Sequence, residues 1–244
     1  MNQNKFYTDM HCHIMPGVDD GAKDMNMSLK MLHIAADNHI KTIILTPHNT
    51  AAHRCVSVEG IKQRLIDLQQ NAERDGIQIK LYPGNELFYD STLPERLSTG
   101  RAMTLAGSSY ALIEFDPSSA FSYIRDGLSA VSYEGFRPIL AHVERYQALL
   151  MQVDRAKELV RAGTCIQVNA NAVVPNLFRP DTKFVNKLLR EGLVHFVATD
   201  AHRDSGRAPY LKNCADYLYY KYEESYVDRL LFGHAGMVLQ NSKI

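Results

Sequence analysis

The sequence lacks net charge: 27 lysines and arginines stand against 27 aspartates and glutamates. That balance excludes a protein that works by bulk attraction to nucleic acid or to an anionic membrane, so no nucleic-acid partner is expected. Apolar runs of the roughly 20 residues needed to cross a bilayer are also missing, and no membrane insertion is expected. The opening residues, MNQNKFYTDM, hold no basic stretch leading into an apolar one, which predicts no secretory leader and a cytoplasmic location. The cysteines, Cys12, Cys55, Cys165 and Cys214, show no CxxC pairing and read as free thiols. Low-complexity tracts, charge blocks, internal repeats and Pro/Gly/Ser-rich linkers are absent as well. Nothing divides the 244 residues, so 1–244 is expected to be a single domain of a length that suits an α/β barrel.

What is present alternates. Short β-branched or aromatic runs at 6–10, 42–46, 78–83, 109–115, 138–143, 165–169 and 194–199 predict strands. Several are almost wholly apolar, as strands covered on both faces of a parallel sheet are. Between them lie stretches of helical period. In 57–73, Val58, Ile61, Leu65, Leu68 and Ala72 recur at spacings of three and four behind Ser57; in 24–38, Met25, Leu29, Leu32 and Ala36 do so behind Asp24. Further helices are predicted at 119–134, 153–162, 181–191 and 210–231. Repeated β-then-α units mean parallel strands, closed into a barrel or left open with helices on both faces.

The unusual residues fall at the strand ends. TDMHCHIMPGVDDG places His11 and His13 after the first strand, with Asp19 and Asp20 following. TPH gives His48, PGNE gives Glu86, IEF gives Glu114, AHVER gives His142, and TDAH gives Asp200 and His202. In α/β barrels those ends form the active-site face. A single strand-end histidine is more often a hydrogen-bonded loop or core residue, and His33, His39, His53, His195 and His234 are expected to be of that kind. A convergence is different: packed imidazoles and carboxylates are costly to bury unless something neutralises them, and divalent cations do so. Residues i and i+2 of a strand share a side, so His11 and His13 can reach one ion while Cys12 faces away.

Imidazole and carboxylate ligands without thiolate suit Mn²⁺, Fe²⁺, Co²⁺ or Zn²⁺. Close ions activate a bridging water and hold the attacking and leaving oxygens of an in-line displacement, which points to phosphate ester hydrolysis. Arg145 and Arg207 follow ligand-bearing strands closely and are suited to clamp phosphate oxygens; the competing reading of each is a structural ion pair. A cysteine nucleophile would need a C-x5-R loop, but the residues six after the cysteines are Val18, Ile61, Asn171 and Tyr220. Cys12 therefore reads as a packing residue.

DMHCHIMPGVDDG, TPH, GNELFY, YALIEF, AHVERY and ATDAHRDSGRAP, in that order from residue 9 to about 207, together resemble the polymerase and histidinol phosphatase (PHP) superfamily. Within it the chain is most similar to the metal-dependent protein-tyrosine phosphatases of bacterial capsule and exopolysaccharide operons. The resemblance implies a distorted (β/α)7 barrel with three metals, commonly manganese. It implies His11, His13, Glu86 and Asp200 on the first ion, Glu86, Glu114 and His142 on the second, and Asp20, His48 and His202 on the third. Arg145 and Arg207 match the family's phosphate-handling arginines, and the implied partner is a phosphotyrosine protein, a bacterial tyrosine kinase of polysaccharide synthesis. Two alternatives stand beside it: a small-molecule phosphatase such as a histidinol phosphatase, and an inactive metal-binding regulator of a kinase complex. The loop HNTAAHRC after His48 is expected to shape substrate access.

Overall fold

In the computed structural model, residues 5–51, 55–176 and 179–244 are described; His53 and the middle of the loop after His48 lie outside them. The strands are β1 (Tyr7–Cys12), β2 (Ile40–Leu45), β3 (His48–Asn49), β4 (Lys80–Pro83), β5 (Glu86–Phe88), β6 (Tyr110–Glu114), β7 (Arg137–Leu140), β8 (Cys165–Asn169) and β9 (Phe196–Ala198). All pair in parallel, in the orders β1-β2-β4 and β3-β5-β6-β7-β8-β9.

β3 prolongs the line of β2, and β5 prolongs that of β4, so the nine segments lie on seven lines. The interruptions have local causes. Pro47 has no N–H to give to a ladder. A Cβ on Gly84 would stand 3.0 Å from Leu105 Cδ2 and 3.3 Å from Leu45 O, so the backbone there runs against its neighbours. The two breaks bond to each other, with Asn85 Nδ2 donating to Pro47 O at 2.8 Å. The last line meets the first: His13 N donates to Ala201 O at 2.8 Å and Asp200 N to His11 O at 2.8 Å, beside a parallel bridge between Cys12 and Ala201. The result is a distorted (β/α)7 barrel.

The helices are α1 (Met25–Asp37), α2 (Val58–Arg74), α3 (Leu93–Ser98), α4 (Phe121–Tyr133), α5 (Val153–Arg161), α6 (Pro180–Arg190), α7 (Lys212–Lys221), α8 (Glu224–Asp228) and α9 (His234–Leu239). The expected caps are in place: Asp24 accepts from Met27 N at 2.8 Å and Ser57 from Gly60 N at 3.2 Å. The larger apolar cluster lies between helices and strands. A smaller one takes Met10, Ile44, Leu112, Ile139, Phe196 and Ala198 from several strands and fills the barrel interior, with Ala235 and Val238 of α9 joining it. Among the described residues no helix is long and apolar enough to cross a membrane.

Two sequence expectations need correction. The helix expected over 210–231 is broken: α7 stops at Lys221, Tyr222 is extended (φ −129°, ψ 162°), and α8 then runs into a π turn over Arg229–Gly233. Tertiary packing overrides the local period here, because the break lets Val227, Leu230 and Leu231 be buried while Tyr226 donates to Leu189 O at 3.2 Å. Likewise His48 and Glu86 do not end the strands assigned from sequence. They open the separate segments β3 and β5, beyond breaks that apolar patterning does not register.

Candidate metal centre

His11, His13, Asp20, His48, Glu86, Glu114, His142, Asp200 and His202 converge at the C-terminal face of the barrel. Three groups of donor atoms each fit around one ion: His11, His13, Glu86 and Asp200; His48, Glu86 and Glu114; and His13, Asp20, His48 and His202. Glu86 belongs to two of them. Its Oε2 lies 3.2 Å from the Nε2 atoms of both His11 and His13 and 3.2 Å from His48 Nδ1; its Oε1 lies 2.8 Å from His142 Nε2. His142 also faces Glu114 Oε2 at 3.7 Å. His48 spans two groups, with Nδ1 2.9 Å from Glu114 Oε1 and Nε2 3.4 Å from Asp20 Oδ1; His202 Nε2 is 3.4 Å from the same Asp20 oxygen.

The charge balance is unusual for an interior. Burial opposes ionisation of Glu86, yet the imidazoles of His11, His13 and His142 hold its carboxyl well below the usual range. Burial opposes charge on His142 too, but Glu114 and Glu86 raise it to about 9. Burial and the neighbouring His13 pull His202 down to about 4. Asp200 Oδ1 is buried without a hydrogen bond, 3.6 Å from His11 Nε2 and 3.7 Å from His13 Nε2. His202 Nδ1 is nearer still, at 3.4 Å; a bare carboxylate oxygen set among three imidazoles costs stability in a protein alone and is suited to a cation. His142 (φ 31°) and Asp200 (φ 52°) both hold left-handed backbones, which cost a non-glycine residue about 1–3 kcal/mol and cluster at functional sites.

A supporting layer orients these groups. Asp19 Oδ2 lies 2.7 Å from His13 Nδ1 and accepts from His48 N at 3.1 Å, while Oδ1 accepts from Gly21 N at 2.9 Å. Against burial, the His13 contact draws the Asp19 carboxyl down to about 2. Gly21 packs so closely behind that a Cβ on it would sit 2.1 Å from His13 O. Gln167 Oε1 faces His11 Nδ1 at 3.1 Å and accepts from His142 N at 2.8 Å; Asn169 Nδ2 donates to Asp200 Oδ2 at 2.9 Å. Asp9 is fully buried, accepts from Thr199 Oγ1 and from Thr199 N at 3.0 Å, and is raised by burial to about 6. Arg96 joins Asn49, Phe88 O and Asp90, tying the ends of β3 and β5 together.

Sequence reasoning placed Asp19 near the site without a role and passed over Gln167, Asn169, Asp9 and Arg96. The sequence marks the amides only by spacing: Gln167 and Asn169 alternate along β8, which of the seven strand lines is the one without a His, Asp or Glu at its end.

Arg145 and Arg207 reach the same face. Arg145 pairs with Asp200 Oδ2; Arg207 Nη2 lies 3.0 Å from that oxygen and 3.2 Å from Asp200 O. Phe88 stands at the mouth. It is two residues beyond Glu86 on β5, shares its side, lies in register with Glu114, and is 36 % exposed. Cys12 is wholly buried and its thiol is pushed well up by burial, which suits packing and not nucleophilic attack. His33, His195 and His234 lie outside the cluster: His33 faces Asp75 at 2.7 Å, and His234 Nδ1 donates to His195 O at 2.8 Å.

A closed parallel barrel bearing a buried histidine–carboxylate cluster at its strand ends, with donor groups that could each hold an ion, is a scaffold suited to a metal-dependent hydrolase. Residues 7–240 match the family described as capsular polysaccharide synthesis, CpsB/CapC, and the chain belongs to it. Tyrosine-protein phosphatase CpsB of Streptococcus agalactiae is 30% identical over 241 residues, 97% of this chain and 99% of that protein. The namesake from Streptococcus pneumoniae is 32% identical over 219 residues, 88% of this chain and 90% of that protein. A crystal structure from work on YwqE of Bacillus subtilis and CpsB of S. pneumoniae, described as metal-dependent tyrosine phosphatases, matches with a TM-score of 0.90 at 26% identity, over 97% of this chain and 96% of that one. The phosphotriesterase homology protein of Escherichia coli shares the fold at a TM-score of 0.64 and 13% identity, over 96% of this chain and 99% of that one.

Proposed function

We propose that the protein is a cytoplasmic, metal-dependent protein-tyrosine phosphatase, formed by 1–244 as one catalytic domain, that hydrolyses phosphotyrosine on a bacterial tyrosine kinase of capsular or exopolysaccharide synthesis. The observation that carries this is the buried cluster around Glu86, a carboxylate shared between two ion-sized groups, with Asp200 Oδ1 left bare. Three divalent ions, manganese first among Mn, Fe, Co and Zn, fit the donor types. His11, His13, Glu86 and Asp200 would hold one. Glu86, Glu114 and His142 would hold the second, with His48 Nδ1 in reach, and Asp20, His48 and His202 the third. When bound, the ions supply Lewis-acid charge to the phosphoryl oxygens and lower the pKa of water.

The chain's own residues do the rest. Arg145 and Arg207 stand at the rim of the cluster, where their guanidinium groups take phosphoryl oxygens that the ions leave free. Asp19, Gln167 and Asn169 fix the rings and carboxylates, so no ordering is required at the moment of reaction. Phe88 offers an aromatic face beside Glu114, suited to a phenyl ring and of little use to a small polar alcohol. Assays of a phosphotyrosine peptide and histidinol phosphate side by side with Mn²⁺ test the reading; preference for histidinol phosphate would overturn it.

Two consequences follow from particular residues. Phe88→Ala is expected to lower the ratio of kcat/KM for an aryl over an alkyl phosphate by roughly threefold to tenfold, the worth of one aromatic contact. An unchanged ratio would show that the ring does not meet the substrate. Asp19→Ala frees His13 to rotate and is expected to raise the Mn²⁺ concentration for half-maximal activity about 10–100-fold. A wild-type Mn²⁺ titration curve would deny Asp19 that positioning role.

A further inference from the structure

The outer face of α6 carries a basic stripe. In PDTKFVNKLLR, Lys183, Lys187 and Arg190 follow at spacings of four and three, so they share one side, and all three are exposed. Lys221, at the end of α7, faces them across a groove with a cavity volume of about 460 Å³. Its apolar surface comes from Met151, Pro175 and the rings of Tyr217 and Tyr222, and no carboxylate lines it. Among the described residues these four cations have no ion-pair partner. Their neighbours do: Arg179 takes Asp181, Lys157 takes Glu191 at 2.9 Å, and Lys212 takes Asp216 at 3.0 Å. In a chain with no net charge, four unpaired cations around one groove form a local positive field that draws a complementary anion.

The groove's position says what kind. Met151 lies on the loop after β7, the loop that begins with His142 and Arg145, and Pro175 lies on the loop after β8. The groove thus opens on the face that carries the metal cluster and descends between two helices. A substrate chain held at the site and running along the loop from Arg145 to Met151 would reach this end of the groove. Its concave form suits an extended chain, whereas a lipid surface would meet a flat or convex basic face. We propose that the groove between α6 and α7 docks an acidic peptide segment of the phosphoprotein substrate, away from the phosphotyrosine itself. The proposal rests on the phosphatase reading above and adds the means by which a protein substrate is chosen over a small one.

The test compares full-length, Mn²⁺-loaded wild type with K187E/R190E on three substrates: a phosphotyrosine peptide rich in Asp and Glu, the same peptide with Asn and Gln in their place, and p-nitrophenyl phosphate. The variant is expected to raise KM for the acidic peptide about tenfold, as two reversed exposed charges would. Its kcat and its kinetics on the other two substrates should stay as in wild type, and raised salt should erase the wild-type preference. Equal KM values for the acidic peptide in both proteins would overturn the proposal. So would a parallel loss on p-nitrophenyl phosphate in the milder K187Q/R190Q protein, which would make the stripe structural. Fluorescence anisotropy with the unphosphorylated acidic peptide separates this idea from the phosphatase reading. If wild type cleaves no phosphotyrosine, the function is wrong; peptide binding lost in K187E/R190E still supports the groove, and binding that survives in the variant refutes it. Co-sedimentation with anionic vesicles but no peptide binding would assign the face to lipid and overturn the proposal.

Discussion

Protein treated with a chelator is expected to hydrolyse no phosphotyrosine peptide, and Mn²⁺ or Co²⁺ is expected to restore it. The reason lies in how little else the site offers. Cys12, the cysteine between His11 and His13, is not placed for nucleophilic attack, since it is wholly buried with its thiol pushed up. The buried donors converge on Glu86 and Asp200, whose oxygens lie 2.8–3.7 Å from imidazole nitrogens. Protein groups alone leave Asp200 Oδ1 bare. Such a cluster suits cations, and removing them would take away the charge that bound ions would supply to water and to the phosphoryl oxygens. Glu86→Gln should approach the chelated protein in activity, because that carboxylate serves two ion groups at once. Full turnover by protein shown to be free of metal would sink the metal-dependent mechanism.

Arg145→Ala is expected to lower kcat on a phosphotyrosine peptide by about 10²–10³, the loss seen when one donor to a developing oxyanion is removed. The structure sharpens what must stay constant. Arg145 pairs with Asp200, so a merely structural role would show itself as lost metal or a lower Tm. Asp200 Oδ2 nevertheless keeps Asn169 Nδ2 at 2.9 Å and Arg207 Nη2 at 3.0 Å when Arg145 is gone. Metal content and Tm should therefore change little. Phenolate leaves readily, which puts the burden of catalysis on the phosphoryl oxygens. Arg207, tied also to Asp200 O in the rim loop, should affect substrate binding more than the chemical step when replaced by alanine. Loss of metal from a folded Arg145→Ala protein would assign the residue to Asp200; full activity would remove it from the reaction.

Much of this was legible in the sequence, for reasons that can be named. Every strand expected from apolar runs exists, because parallel strands buried on both faces write themselves as such runs. The residues expected to converge do converge, because an α/β repeat puts strand ends on one face whatever the exact lengths. What the sequence hid depends on long-range contact. The breaks at Pro47 and Gly84 move His48 and Glu86 onto short strands, and only the neighbouring backbone shows why. The C-terminal helix looks continuous at 210–231, since nothing local says that Val227 and Leu231 must turn inward. Gln167 and Asn169 were overlooked because an amide signals no chemistry until its partners, His11, His142 and Asp200, stand beside it. The left-handed backbones of His142 and Asp200 leave no mark in composition at all.

The closure of the first strand against the last also bears on how the chain is made. β1 leaves the ribosome early, yet its second neighbour follows about 190 residues later: Thr199 N bonds Asp9 Oδ1 across that separation. Until β9 is made, one edge of β1 has no partner. Contacts between distant parts of a chain form slowly, and an unpaired edge invites pairing with other chains. His11 and His13 then wait for Asp200 and His202, so the full set of donors comes together only when the barrel closes. A nascent chain stalled before β9 should lack Asp200 and His202, and with them the complete groups of donors that include His11 and His13. Closure of the barrel and completion of the donor set are thus one event: both wait for the strand that carries Asp200 and His202.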